Sequence, residues 1–267
     1  MRTIEHLSDL TGRTAIVTGG AGNLGRAMAA TLREAGAHLA LVDREEPQLA
    51  SAADELAQHP GARIGTYAAD LEAEEQRIAL AQRLRADFGS LDILVNNAGF
   101  VGDSQLAGWV APFDQQSIAT WRRALEVNLA APFHLAQLLA PDLAEHGRGS
   151  IVNIGSIYGL LGPDLGLYEG TAMGNPAAYA ASKGGLLQLT RWLATTLAPS
   201  VRVNCITPGG IARGQPQLFV DRYVARTPLA RMGVEEDFKG AAIYLASDLS
   251  RWVTGQNIVV DGGWSAW

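Results

Sequence analysis

Tyr179 and Lys183 stand four residues apart in Tyr179-Ala180-Ala181-Ser182-Lys183, so in a helix a phenol and an ammonium project from one face. A phenol accepts a proton near neutral pH only if its charged form is favoured, and a cation one turn away favours it. Lys183 is one of only two lysines in the chain, the other being Lys239, so its place behind a tyrosine is not a product of abundance. Upstream, the apolar run Ser150–Ile154 leads to Gly155-Ser156, which sets a hydroxyl donor at the end of a predicted strand. Asn128, in Val127-Asn128-Leu129, is an amide inside an otherwise apolar helical stretch. Singly these residues read as an exposed helical pair, a strand-end serine and a buried amide bonded to backbone. Jointly they point to proton transfer at a hydroxyl or carbonyl.

A second constellation handles anions. Gly20-Ala21-Gly22-Asn23-Leu24-Gly25 is a G-x-G-x-x-G between an apolar run and a helical pattern. Glycines there let backbone N–H groups approach a pyrophosphate, and the following helix presents its positive end to the same anion. Asp43 closes the next apolar run about 20 residues on, where a carboxylate binds ribose hydroxyls. The competing reading of Asp43 is a helix N-cap. An acid at that place repels a 2′-phosphate, which favours NAD over NADP, while Arg44 next to it is able to accept that phosphate.

The elements that must position these groups follow from patterning. Ala15–Val17, His38–Val42, Ile64–Ala68, Ile93–Val95, Ser150–Ile154, Val201–Ile206 and Ile258–Val260 are predicted strands. They alternate with helices over about Leu24–Glu34, Pro47–Gln58, Glu72–Phe88 and Trp121–His146. Such alternation predicts an α/β fold: one Rossmann-like doubly wound domain over 1–267, with about seven mostly parallel strands and helices on both faces. The Gly- and Pro-rich stretches 100–120, 157–178 and 209–226 read as substrate loops beyond strand carboxyl ends. The chain is 48% hydrophobic and 18% charged, which excludes a disordered polymer. A net charge of −6 argues against nucleic acid or an anionic membrane as partner. The single Cys205 excludes an internal disulfide. With no signal-like start and no long apolar run, the expected location is the cytoplasm. No metal is expected.

Taken in order, these pieces resemble the short-chain dehydrogenase/reductase family over essentially the whole chain. The matching motifs are Thr18-Gly19 with Gly25, Asp70-Leu71, Asn96-Asn97-Ala98-Gly99, Asn128, Ser156, Tyr179/Lys183 and Pro208-Gly209. They close with Val253-Thr254-Gly255-Gln256 and Asp261-Gly262-Gly263. The resemblance implies a nicotinamide dinucleotide held by Gly19, Asn23, Leu24, Gly25, Asp43, Arg44, Asp70, Leu71, Asn97, Ala98, Gly99, Pro208, Gly209 and Ile211, with Tyr179 and Lys183 at its nicotinamide ribose. It implies Asn128, Ser156, Tyr179 and Lys183 as catalytic residues, Asp70 against adenine, and a homotetramer packed through the helices around Trp121–His146 and Ala178–Ala198.

The chain departs from the family pattern in three places. Asn23 replaces a glycine of the turn, a substitution expected to rest on the tolerance of Asn for left-handed backbone. Arg213 replaces a threonine that often contacts the cofactor carboxamide. The interval from Ser156 to Tyr179 is longer than usual, and its loop carries Tyr158, Tyr168 and Glu169. With Ser156 and Arg213 these are the expected substrate contacts, and they suit a polar, carbohydrate-like small molecule. Trp264 and Trp267 predict a C-terminus buried against its own pocket or a neighbouring subunit. Two other classes share parts of this pattern: an epimerase or dehydratase that uses bound NAD, and a non-catalytic dinucleotide sensor. A methyltransferase has no use for the Tyr–Lys pair.

Overall fold

The computed structural model describes residues 1–57, 62–102 and 106–267. The apolar runs form β1 (Thr14–Thr18), β2 (His38–Asp43), β3 (Ile64–Ala68), β4 (Ile93–Asn96), β5 (Gly149–Ile154), β6 (Val201–Pro208) and β7 (Asn257–Val260). They pair in the order β3-β2-β1-β4-β5-β6-β7, every neighbouring pair parallel. β1, β4 and β5 are buried at every position, which is why they read as unbroken apolar runs rather than alternating ones. Strand order reverses between β1 and β4, and the crevice beyond their carboxyl ends is where open α/β sheets hold ligands.

The helices are α1 (Ile4–Ser8), α2 (Asn23–Glu34), α3 (Glu46–Leu56), α4 (Glu74–Phe88), α5 (Ile118–Leu125), α6 (Ala131–Ala144), α7 (Ala177–Thr196), α8 (Gln217–Arg226) and α9 (Lys239–Ala246). One core layer packs Met28 and Leu32 of α2, Leu49 of α3 and Leu245 of α9 against the sheet. The opposite layer packs Leu80 and Leu84 of α4, Leu135 and Leu139 of α6 and Leu193 of α7. The helix expected over Pro47–Gln58 is α3, which stops at Leu56, and Gln58 lies outside the described residues, as do 103–105 within the predicted loop 100–120.

Two predictions need correction. The helix expected as one piece over Trp121–His146 is α5, a π turn at Glu126–Ala130, and α6. Pro132 brings no N–H, and its ring would press on the carbonyl four residues back, so one turn widens before it. Ala131 accordingly bonds back to Glu126. The second concerns 209–226, read as loop throughout but containing α8. Its Phe219 and Tyr223 stack in series with Tyr168 and Trp264, at centroid distances of 5.5, 5.9 and 5.7 Å.

The C-terminus divides: Trp264 is 2% exposed and Trp267 75% exposed. The Trp264 indole N–H finds no hydrogen-bond partner among the described residues, so the residue stabilises by ring packing and by the Arg226 guanidinium 4.7 Å from its ring centroid. Trp264→Ala should cost about 3–5 kcal/mol in urea unfolding, whereas Trp264→Phe, which removes the unpaired N–H, should cost markedly less.

Candidate active site

β1 delivers the chain into Gly19 at φ +64°, and α2 begins four residues later. A Cβ on Gly25 would lie 2.0 Å from the Gly19 carbonyl oxygen, so the turn exists only with glycine at this crossing. The turn is braced from β4: the Asn97 amide donates to the Thr18 and Gly19 carbonyls at 2.9 and 3.1 Å. The Thr18 hydroxyl accepts from the Asn97 and Ala98 amides, each at 3.0 Å. Gly22 caps α2 without a side-chain bond, leaving first-turn N–H groups for an anion. Asn23 is the first residue of α2 and does not have positive φ. Left-handed tolerance is therefore not why an asparagine is accepted there.

Asp43 ends β2 with its carboxylate accepting from the Ala21 amide at 3.1 Å and the Arg44 amide at 2.8 Å. It does not cap α3, whose N-cap is Glu45. These two bonds fix the carboxylate beside the glycine turn and leave lone pairs for a diol. An anion-ready helix end and a fixed acid bonded to the glycine turn itself fit a dinucleotide.

A cleft of about 750 Å³ runs along the carboxyl edge of the sheet. Gly19, Asn23, Leu24 and Gly25 form its floor at one end, with Asp43, Arg44, Asp70 and Leu71 beside them. Asn97, Ala98 and Gly99 line the middle, while Ser156, Tyr179, Lys183, Pro208, Gly209, Ile211 and Arg213 stand at the other end. Every residue expected to hold the cofactor is on this wall.

At the far end Lys183 is 4% exposed and its Nζ donates to the Ile154 carbonyl at 2.8 Å. Burial pushes its pKa down to about 8. The ammonium lies 5.9 Å from the Tyr179 ring centroid. Burial raises the Tyr179 phenol, and a hydrogen bond from the Ser156 hydroxyl is what lowers it. The lowering expected from Lys183 is not found: the phenol stands above its ordinary value, and Ser156 only opposes that rise. Asn128 sits behind the wall, 1% exposed, with its Oδ1 accepting from the Phe100 amide at 2.6 Å. Its Nδ2 donates to the Phe100 carbonyl at 3.2 Å and to the Ser182 hydroxyl at 3.0 Å. Ser182 in turn donates to the Tyr179 carbonyl at 2.8 Å.

Three expected substrate contacts are not on the wall. Tyr158 and Tyr168 bond hydroxyl to hydroxyl and pack with Phe219, Tyr223 and Trp264. Glu169 offers its carbonyl to Arg222 of α8. The inserted loop therefore spends its polar groups fastening α8, including an Asp164–Arg226 ion pair. Arg213 is on the wall, paired with Glu235 at 3.2 Å. Sequence reasoning missed Phe100, Val101, Leu106, Arg123 and Val127 as wall residues. Only two carry a signal: Phe100 follows the Asn-Asn-Ala-Gly turn, and Arg123 lies four residues, one helical turn, before Val127.

A buried ammonium with one carbonyl partner costs the fold stability. Because the folded pKa of about 8 lies below the ordinary 10.5, that cost is complete below pH 8 and fades as pH rises to 10.5. Lys183→Met should therefore stabilise the protein at pH 7, by at most about 3 kcal/mol, and the gain should shrink through that window. Thermal unfolding at pH 7 and pH 10 measures it.

The family model described as enoyl-(acyl carrier protein) reductase matches residues 19–265. The chain is 36% identical to nodulation protein G of Rhizobium sp. (strain N33), over 96% of this chain and 98% of that protein. It is 34% identical to galactitol 2-dehydrogenase (L-tagatose-forming) of Cereibacter sphaeroides, over 97% of each. Its fold superposes on a solved NAD+-bound xylitol dehydrogenase with TM-score 0.84 at 29% identity, covering 95% of this chain and 99% of that one. With this glycine turn, this Ser–Tyr–Lys wall and these relatives, the chain belongs to the short-chain dehydrogenase/reductase family and is an NAD(P)-linked oxidoreductase acting on a CH–OH group.

Proposed function

We propose that the protein interconverts a secondary alcohol and a ketone by hydride transfer with NAD, on a polar, carbohydrate-like substrate. The observation that carries the reading is the single wall on which Ser156, Tyr179 and Lys183 stand, continuous with the cradle at Gly19–Gly25 and Asp43. Bound at that wall, the dinucleotide supplies the hydride acceptor or donor. The Ser156 hydroxyl donates to the reacting oxygen; as phenolate, Tyr179 takes the alcohol proton during oxidation, and as phenol it gives that proton back during reduction. Lys183, held by the Ile154 carbonyl, binds the ribose hydroxyls beside the reacting carbon and stabilises the phenolate once it forms. Asn128 holds Phe100 and the Tyr179 turn in place and anchors the water path by which Lys183 regains its proton.

Asp43 supports NAD over NADP, since a carboxylate held at the ribose end of the cradle would repel a 2′-phosphate. Arg44 is exposed beside it and is the residue able to relax that preference. Arg213, with Phe100, Val101 and Leu106, takes over the substrate-facing role from Tyr158, Tyr168 and Glu169. The galactitol and xylitol dehydrogenases support a polyol or sugar-like substrate. The substrate loops belong to one folded unit with the dinucleotide fold, and that unit works in the cytoplasm. Exposed Phe133 on α6 and Trp192 on α7 support assembly into a homotetramer through these helices. Among the described residues no helix is long and apolar enough to cross a membrane.

The test is absorbance of reduced cofactor on mixing the protein with NAD or NADP and a panel of polyols, sugars and simple secondary alcohols. Turnover with NAD and a polyol is expected. Tyr179→Phe should lower it about 10²-fold or more while NAD binding is unchanged. Because burial raises the Tyr179 phenol, oxidation should accelerate as pH rises above neutrality and ketone reduction should slow. Turnover with NADP alone would overturn the cofactor assignment, and full activity in Tyr179→Phe would remove Tyr179 from the chemistry.

A further inference from the structure

Several buried charges lie outside the mechanism, and one of them is tied to the cleft. Arg77 of α4 is 3% exposed, and its guanidinium serves three separate pieces of the chain. It donates to the Leu71 carbonyl at 2.6 Å and to His134 Nδ1 of α6 at 3.0 Å, and its Nη1 forms an ion pair with the Glu126 carboxylate at 2.7 Å. Leu71 belongs to the Asp70–Glu72 segment that lines the cleft, and Glu126 opens the π turn whose central residue is Asn128. The guanidinium fork thus joins the wall beside Asp43 to the turn that carries Asn128. Three donors in a rigid plane make Arg suitable for such a joint and Lys unsuitable.

A second strap runs between the same two places. Arg123 of α5 grips Glu72 through both carboxylate oxygens, at 2.8 and 3.1 Å from its Nε. Its guanidinium lies 5.0 Å from the Phe100 ring centroid, and Phe100 is the residue whose backbone Asn128 clamps from both sides. Being exposed, this strap is the weaker of the two. The Arg77 guanidinium is buried although its Glu126 partner is 38% exposed, and removing that carboxylate leaves the buried charge without a counter-ion. π turns inside helices collect at functional sites, and here that turn is held from the cofactor side.

We propose that Arg77 and Glu126 are positioning residues: occupation of the Asp70–Glu72 wall by the adenosine half of the dinucleotide tightens the π turn, and with it the Asn128–Phe100 and Asn128–Ser182–Tyr179 bonds at the other end of the cleft. The proposal rests on the cofactor reading above. It makes adenosine binding and alignment of the catalytic amide one event rather than two.

The experiment is amide hydrogen exchange with adenosine as the probe, read on peptides covering Asp70–Glu72 and Phe100, in the unmodified protein, Glu126→Ala and Glu126→Gln. Gln keeps an acceptor for Arg77 and Ala does not. In the unmodified protein adenosine should slow exchange at both places. In Glu126→Ala the slowing at Phe100 should be lost while that at Asp70–Glu72 remains, and Glu126→Gln should restore it. In parallel, kcat at saturating NAD should fall about tenfold in Glu126→Ala and recover in Glu126→Gln. Asp142→Ala, which cuts the Arg85–Asp142 pair between the same two helices α4 and α6, lowers Tm without touching the π turn and should leave kcat unchanged. Equal protection of Phe100 in Glu126→Ala, or a lowered Tm with unchanged kcat, overturns the coupling. Absence of any adenosine protection at Asp70–Glu72 in the unmodified protein overturns the cofactor reading itself.

Discussion

One buried hydrogen bond organises the reactive end of this protein: the Lys183 ammonium on the Ile154 carbonyl, 2.8 Å away. It ties α7 to the last residue of β5, and so sets the face carrying Tyr179 against the strand end carrying Ser156. An ammonium so deeply buried, with only a carbonyl to receive it, does not stabilise a fold. Its depressed pKa records that cost. A bond that costs stability while bringing Ser156, Tyr179 and Lys183 to one wall fits the chemistry proposed for them better than it fits packing.

The rest of the cleft uses groups bonded in advance. Asp43 is held by two backbone amides before any ribose arrives, and the glycine turn by Asn97. Asn128 is fully engaged with Phe100 and Ser182. Groups fixed in this way lose little freedom when a ligand binds, and that is the physical content of a preorganised site. The inserted loop between Ser156 and Tyr179 follows another logic. Its Tyr158–Tyr168 contact, its ion pair from Asp164 to Arg226 and the aromatic stack beneath fasten α8 to the body of the protein.

What was legible in the sequence is what local spacing determines. Strands buried on both faces advertise themselves as apolar runs. The glycine crossing at Gly19 and Gly25, the acid at Asp43 and the Tyr179–Lys183 face each depend on neighbours within a few residues. The π turn was hidden because the apolar period of 121–146 runs smoothly across it, and only Pro132 marks the place. The loop tyrosines were misjudged because their orientation is decided by Phe219, Tyr223 and Trp264, which lie 51 to 106 residues away in sequence. Arg77 gave no signal: in the sequence it is one charge on a helix rich in charges, and only the fold buries it.

The central claim is that a single cleft holds the nicotinamide dinucleotide between Asp43 and Lys183. A crystal structure of the protein with NAD tests it most directly. The account predicts the adenosine ribose hydroxyls on the Asp43 carboxylate, the pyrophosphate over Asn23–Gly25, and the nicotinamide ribose hydroxyls on Lys183 Nζ with Tyr179 Oη alongside. A dinucleotide bound with Asp43 turned away, or with its nicotinamide remote from Ser156 and Tyr179, would contradict it.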